Sequence, residues 1–215
     1  DGLLEAIERG VHRAETEFPM AVGLIVLLQR IKTAKENQRW LDFALANQGR
    51  IVGVDLADNE VDYPPEPFIP LFQKARKAGL GVTIHAGEPA VEGIAKNIAV
   101  SIQEMGAHRI GHGLQAIHDP EVVALLVETG TPLELCPVSN WLTQAVPTIA
   151  AHPIRRLMEA GVKTTINTDD PGIMCTDLNR EYELLVQEHG FTRAEFQQCN
   201  QWAFETSFID DAKKR

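Results

Sequence analysis

The chain has 215 residues, 44% of them hydrophobic and 23% charged, with a net charge of −10. Such a length and composition support one sizeable core in a globular protein, and the acidic balance argues against a phosphate-backbone partner, so no nucleic acid is expected. The longest apolar run, Ala21 to Leu28, is strand-sized, so no membrane contact is expected.

No secretory signal opens the chain. A first residue of Asp1 rather than Met predicts that the N-terminus was processed, trimmed or cut. The cysteines Cys136, Cys175 and Cys199 are an odd count with no C-x-x-C pair. They fit a reducing compartment better than a disulfide scaffold, and a cytoplasmic location is expected.

Taken in order, the chain opens on a helical pattern, "DGLLEAIERGVHRAETEF". The first strand is expected in "VGLIVLLQ" near Val22, and the charge run "KENQR" after it reads as a solvated face. "RIVGVDLA" from Arg50 is the second strand. The loop "DNEVDYPPEPFIP", with four prolines, leads to the helix "LFQKARKAG". "GVTIHAG" from Gly81 is the third strand, followed by a helix in "AVEGIAKNIAVSIQEMG" that stops at Gly106. "HRIGHG" from His108 is the fourth. "DPEVVALLVETG" is a helix with Asp119 as N-cap, Pro120 at its first position and Gly130 at its end. "PLELCP" from Pro132 is the fifth strand, with Ser139 and Asn140 following on it. "HPIRRLMEAG" is a short amphipathic helix, and "VKTTINTDD" from Val162 is the sixth strand. Two helices close the chain: "TDLNREYELLVQEHG", and "TRAEFQQCNQWAFETSF" with capping-box spacing at Thr192 and Glu195. Trp40, Trp141 and Trp202 are expected to pack, and Cys136 to be a buried small hydrophobe.

Most of these strands are apolar nearly throughout, as strands are when helices cover both faces of a parallel sheet. No G-x-G-x-x-G follows a strand, so the dinucleotide fingerprint is absent. His85, His112, Asp169 and Asp170 fall at C-terminal strand ends, where a parallel barrel collects its catalytic groups. The expected fold is therefore an α/β (β/α)8 TIM barrel. With six strands, it is an incomplete barrel, a single domain over residues 1–215, with about two βα units missing at the front.

Each strand end has two readings. In "TIHAGEP", a turn through Gly87 brings His85 and Glu88 to one cavity. There the imidazole suits zinc and the carboxylate suits acid/base work. The alternative is a core histidine and a helix-capping glutamate. In "RIGHGL", the glycines flanking His112 permit close approach of backbone or ligand, or simply mark a tight strand end. In "NTDDP", one carboxylate can be neutralised by a divalent cation while the other bonds a polar ligand. The alternative is a turn in which Asp170 caps the next helix. Three strand ends offering His, Glu, His, Asp and Asp together favour one site.

"TIHAGE", "HRIGHG", "LELCPVSNWLT" and "INTDDPGI", in this order and spacing, resemble the adenosine deaminase family of metal-dependent amidohydrolases. The likeness extends over essentially the whole chain, and Thr168 before the aspartates is closer to the adenosine-acting branch than to the adenine-acting one. The resemblance implies zinc as the cofactor, with His85 and Asp169 as two of its ligands. It implies that Glu88 protonates the purine at N1 while hydroxide attacks C6, and that His112 orients the hydroxide. Asp170 would hydrogen-bond the purine on its imidazole side. The substrate implied is a small purine nucleoside, adenosine or 2′-deoxyadenosine, released as inosine and ammonia. Two departures stand out. The family's H-x-H zinc ligands have no counterpart among the seven histidines. The substrate-side glycine after "DLA" is replaced by Asp58, which puts that wall of the purine pocket in question. A non-catalytic purine-binding relative, or a deaminase of adenine, a nucleotide or an N6-modified purine, are the alternatives.

Overall fold

The computed structural model describes residues 2–213. Helix α1 (Gly2–Glu17) precedes strand β1 (Leu24–Gln29), helix α2 (Ala34–Ala46) and strand β2 (Ile51–Ala57). A 3-10 turn (Glu66–Phe68) in the proline-rich loop runs into α3 (Ile69–Lys77), and β3 (Gly81–Ala86) and α4 (Lys96–Gln103) follow. Next come β4 (Arg109–His112), α5 (Pro120–Thr129), β5 (Leu133–Leu135), α6 (Pro137–Leu142), α7 (Ile154–Glu159) and β6 (Thr164–Ile166). Helices α8 (Pro171–Met174), α9 (Leu178–His189) and α10 (Arg193–Thr206) complete the order.

The six strands form one parallel sheet in sequential order, β1 to β6. That is six consecutive βα units of the expected incomplete barrel, with β1 and β6 at the edges. Side chains alternate across the pleat. One set, including Leu28, Val54, Leu56, Val82, Ile84, Ile110, Leu133 and Leu135, is buried in the core. Leu41, Phe72, Ile98 and Leu126 come from the helices to the same core. Each such side chain, fully buried, stabilises the fold by about 1.5–3 kcal/mol. The other set faces the lumen, where Ile25 and Leu27 of edge strand β1 stay 38% and 47% exposed.

The expected helix ends form. Asp119 caps α5 through Glu121 N and Val122 N, and Thr192 and Glu195 close a capping box on α10. Three expectations change. Asn37, inside the charge run, is fully buried: it accepts from Gln29 N (3.0 Å) and donates to Gln29 O (2.8 Å), standing in for a strand partner at the end of β1. Trp40 and Trp141 are 43% and 46% exposed rather than packed, whereas Trp202 packs against the core. The fourth helix starts only at Lys96, since Val91–Ala95 turns around Gly93.

The lumen is layered. Thr83 donates to Glu134 Oε2 (2.5 Å), and Arg109 Nε lies 2.9 Å from Glu134 Oε1. Two residues further along the same strands stand His85, Gly111 and Cys136. Below the polar layer lies Phe208, its ring centroid 3.8 Å from the Arg109 guanidinium carbon. The lumen is glycine at Gly53 and Gly81 because a Cβ at either position would run into the Phe208 ring. No helix among the described residues is long and apolar enough to cross a membrane.

Candidate active site

The strands' C-terminal ends surround a cavity of about 510 Å³ lined by Asp55, His85, His112, Cys136 and Asp169 among others. Strand β3 delivers His85. Opposite it in the register is Gly111, where a Cβ would stand 3.1 Å from the His85 ring, so a larger residue would displace it. His85 Nδ1 lies 2.8 and 3.1 Å from the two oxygens of Asp55, which β2 projects into the lumen. Burial disfavours a charge on this ring, but Asp55, through charge and hydrogen bond, then Glu134 and Asp169, outweigh it; the pKa is pushed up to about 9. With Nδ1 committed to Asp55, Nε2 is the ring nitrogen left for a ligand. A carboxylate behind a histidine is the arrangement that orients and enriches a metal-binding imidazole.

Arg30, 1% exposed at the end of β1, fastens the strand end from outside. It donates to His85 O (2.5 Å) and to Tyr63 O (3.0 Å). Burial pulls its guanidinium below the usual range, and Glu60, Asp55 and Glu66 oppose that.

After β3 the chain turns, and the buried Glu60 carboxylate fixes the turn. It accepts from Gly87 N (2.7 Å), Glu88 N (3.2 Å) and Asn97 Nδ2 (2.9 Å). The Glu88 carbonyl accepts from Gln115 Nε2 at 3.2 Å. The Glu88 carboxylate is thus held toward β4. His112, the last residue of β4, has φ 58°, a left-handed bend that ends the strand. Its Nε2 lies 3.7 Å from Glu88 Oε2 and 3.8 Å from Asp169 Oδ2, and its ring centroid is 5.0 Å from that of His85. Burial pushes the His112 pKa down; Glu88 opposes this, His85 adds to it and Asp169 opposes it.

Asp169 also has a left-handed backbone (φ 56°) just past β6. Its Oδ2 accepts from Ser139 Oγ at 2.7 Å. Ser139 and Asn140 are not on a strand, as expected, but on α6. Pro137 cannot extend the ladder and starts a helix after only three residues of β5. This move turns both side chains inward: Asn140 reaches His112 Nδ1 (3.0 Å) and Glu88 Oε1 (3.3 Å). Cys136 is buried as expected, and burial with Asp169 and Glu134 nearby pushes its thiol up.

The structure therefore brings His85, Glu88, His112 and Asp169 together. Asp58 and Asp170 are not among the residues that line the cavity. Asp58 holds φ 92°, with its carboxylate accepting from its neighbour Asn59 N (3.1 Å), and Asp170 is exposed at the start of α8. Asp55, Glu60, Arg30, Thr143 and His152 were not anticipated as site residues. Asp55 carried a signal, being a charged residue inside an apolar strand, which demands a buried partner.

The donor chemistry fits part of a zinc site. His85 Nε2 and the Asp169 carboxylate are donors of the types zinc takes, and the donor atoms of His112, Cys136 and Asp169 lie within 4.8 Å of one another. A catalytic zinc takes about three protein ligands, so the pair His85 and Asp169 is an incomplete set.

The family model for adenosine deaminase matches residues 1–215. The chain is 38% identical over 215 residues to the adenosine deaminase of Shewanella loihica, covering 100% of this chain and 64% of that one. Among solved structures, the adenine deaminase of Arthrobacter aurescens superposes with a TM-score of 0.91 at 31% identity, over 99% of this chain and 64% of that one. A zinc-bound amidohydrolase from Burkholderia ambifaria gives 0.87 at 29% identity, over 98% of this chain and 58% of that one. The chain spans 64% of the length of the curated relative, and over that span it belongs to the adenosine deaminase family.

Proposed function

We propose that the chain carries the catalytic face of a purine nucleoside deaminase, converting adenosine or 2′-deoxyadenosine to inosine and ammonia. The observation behind this reading is that one imidazole nitrogen, His112 Nε2, has both Glu88 and Asp169 within 3.8 Å. An acid, a hydrogen-bond donor and an anionic ligand therefore meet at one point on three strand ends. Zinc, when bound by His85 Nε2 and Asp169 with further donors, acts as a Lewis acid and lowers the pKa of water to about 7. Glu88 Oε2 donates a proton to purine N1, which makes C6 electrophilic. His112 Nε2–H steers the attacking oxygen, and Ser139 holds Asp169 in place by its 2.7 Å hydrogen bond. Asp55 keeps the His85 ring turned so that Nε2 faces the cavity. The family resemblance assigns Asp170, at the start of α8, to the imidazole side of the purine and Asp58 to the wall beside it, although neither lines the cavity. A reducing, cytoplasmic setting is the reading that the three free cysteines support.

The test uses the chain extended with an H-x-H-bearing upstream segment to complete the metal set. Loss of adenosine absorbance and release of ammonia are followed with and without chelator. Chelator-sensitive turnover that falls by at least about a hundredfold in Glu88→Gln is expected; turnover indifferent to chelator would contradict the reading. A second reading, adenine as substrate, is favoured by the likeness to the Arthrobacter adenine deaminase. Comparing kcat/KM for adenosine and adenine separates the two.

A further inference from the structure

Asn140 is fully buried, and every hydrogen on its amide and both sides of its oxygen have partners. Its orientation is not free. Ile154 N donates to His152 Nδ1 at 3.2 Å. That nitrogen is the acceptor, so the ring hydrogen of neutral His152 sits on Nε2, which donates to Asn140 Oδ1 at 3.1 Å. Cys136 N donates to the same oxygen at 3.4 Å. The amide nitrogen Nδ2 then points its two hydrogens at His112 Nδ1 (3.0 Å) and Glu88 Oε1 (3.3 Å).

The opposite orientation fails at two main-chain groups. Turning Asn140 over would set its Nδ2 hydrogens against Cys136 N–H. It would also require His152 to accept at Nε2 and carry its hydrogen on Nδ1, facing Ile154 N–H. Backbone amides are donors that cannot change role. Two unpaired donor contacts in a site where His152 is 3% and Asn140 0% exposed would each forfeit a buried hydrogen bond. The direction of the whole chain is therefore set by the backbone of Ile154 and Cys136.

We propose that His152 is a positioning residue for the deaminase chemistry. Through Asn140 it holds His112 in the Nε2-protonated tautomer and reserves Glu88 Oε2 as the oxygen that carries the transferred proton. The second part follows from Glu88 Oε1, which accepts from both Asn140 Nδ2 and Thr143 Oγ1 (2.9 Å). With two donors on Oε1, the proton resides on Oε2, the oxygen nearer His112 Nε2. Burial, with smaller contributions from His189 and His112, pulls the His152 pKa down to about 3, so the ring stays neutral across the working range. The tautomer assignment stands on hydrogen-bond geometry alone; its consequence for turnover rests on the deaminase reading above.

The assignment is tested on the 215-residue chain without turnover, by long-range proton–nitrogen correlation spectra of the ring nitrogens at pH 7.5. His112 and His152 are both expected as single Nε2–H tautomers. An Nδ1–H tautomer at His112 in the unmodified chain, or an even mixture, overturns the proposal whatever any variant does. Asn140→Asp replaces a donor with an acceptor and is expected to flip His112 to Nδ1–H. His152→Phe is expected to leave a mixture, and His152→Gln, which keeps an N–H donor, to restore the single tautomer. An unchanged His112 signature in a folded His152→Phe chain counts against the proposal. In the extended, zinc-loaded enzyme His152→Phe is expected to lower kcat about tenfold with KM nearly constant, with recovery in His152→Gln. Normal kcat in His152→Phe overturns the catalytic consequence. Absent turnover in the unsubstituted enzyme refutes the deaminase reading and leaves the spectroscopic result to decide the tautomer.

Discussion

Replacing Asp55 with Asn tests whether the carboxylate behind His85 charges that ring in the metal-free chain. Asp55 is 6% exposed and the His85 side chain 31%. Against the opposing effect of burial, Asp55, with smaller help from Glu134 and Asp169, raises the ring from its ordinary 6.5 to about 9. At about 1.4 kcal/mol per pH unit, the net shift corresponds to about 3.5 kcal/mol favouring the protonated ring in the folded state. The open edge of the ring lets water screen part of this, and about 2 kcal/mol is the working figure. The folded pKa lies above the unfolded one, so the folded state binds more protons between them. The stabilisation is complete below pH 6.5 and is lost as pH rises through about 9. Asp55→Asn keeps the shape and removes the charge, so its stability stays flat over that window where the parent declines. Urea unfolding followed by tryptophan fluorescence, in chelator at pH 6, 7.5, 9 and 10, reads the difference. The gap between the two chains is expected to be about 2 kcal/mol at pH 6, to narrow between pH 6.5 and 9, and to be nearly closed at pH 10. Titration of the cysteines in the unfolded state is common to both chains and cancels. A gap that is constant with pH, or widens with it, refutes the reasoning.

Zinc takes a neutral imidazole, so binding to the metal-free chain must displace the His85 proton. Affinity is expected to rise by up to about tenfold per pH unit between pH 6 and 8, with close to one proton released, by calorimetry in buffers of different ionisation enthalpy. His85→Ala and Asp169→Asn should each weaken it at least about tenfold, and a pH-independent affinity would speak against His85 as ligand. Glu60→Gln removes one acceptor oxygen from the Gly87, Glu88 and Asn97 donors and should cost about 1–3 kcal/mol, with faster hydrogen exchange at the Gly87 and Glu88 amides than in the parent. Gly81→Ala drives a methyl into the Phe208 ring and should destabilise by about 1–3 kcal/mol. Combining it with Phe208→Ala should give clear non-additivity in urea unfolding, whereas additive effects would deny the contact.

The strands and the four central residues were legible because strands buried on both faces read as apolar runs, and a His or Asp at the end of such a run has no packing reason to be there. The supporting residues were not. Asp55 and His85 are 30 positions apart, and Asn140 and His112 28, so only the pairing of β2 with β3 and the packing of α6 against the end of β4 bring them together. Ser139 and Asn140 follow the strand segment "PLELCP" directly, so the sequence suggests that they continue it. Pro137 after Cys136 held the contrary signal, since proline favours the first helical position. Asn37 looked like part of a charged face because sequence shows composition, not which side of α2 meets β1. The H-x-H histidines expected from the resemblance have no counterpart in the chain, and the metal set is correspondingly incomplete.

Everything proposed for this chain's chemistry depends on a single cation drawing together donors from β3 and from the loop after β6. Crystals grown with zinc and measured at its absorption edge would locate that ion directly. An anomalous peak is expected within coordination distance of both His85 Nε2 and an Asp169 oxygen, with Asp55 still on His85 Nδ1. A peak elsewhere on the surface, with the lumen side of His85 and Asp169 bare, would contradict it.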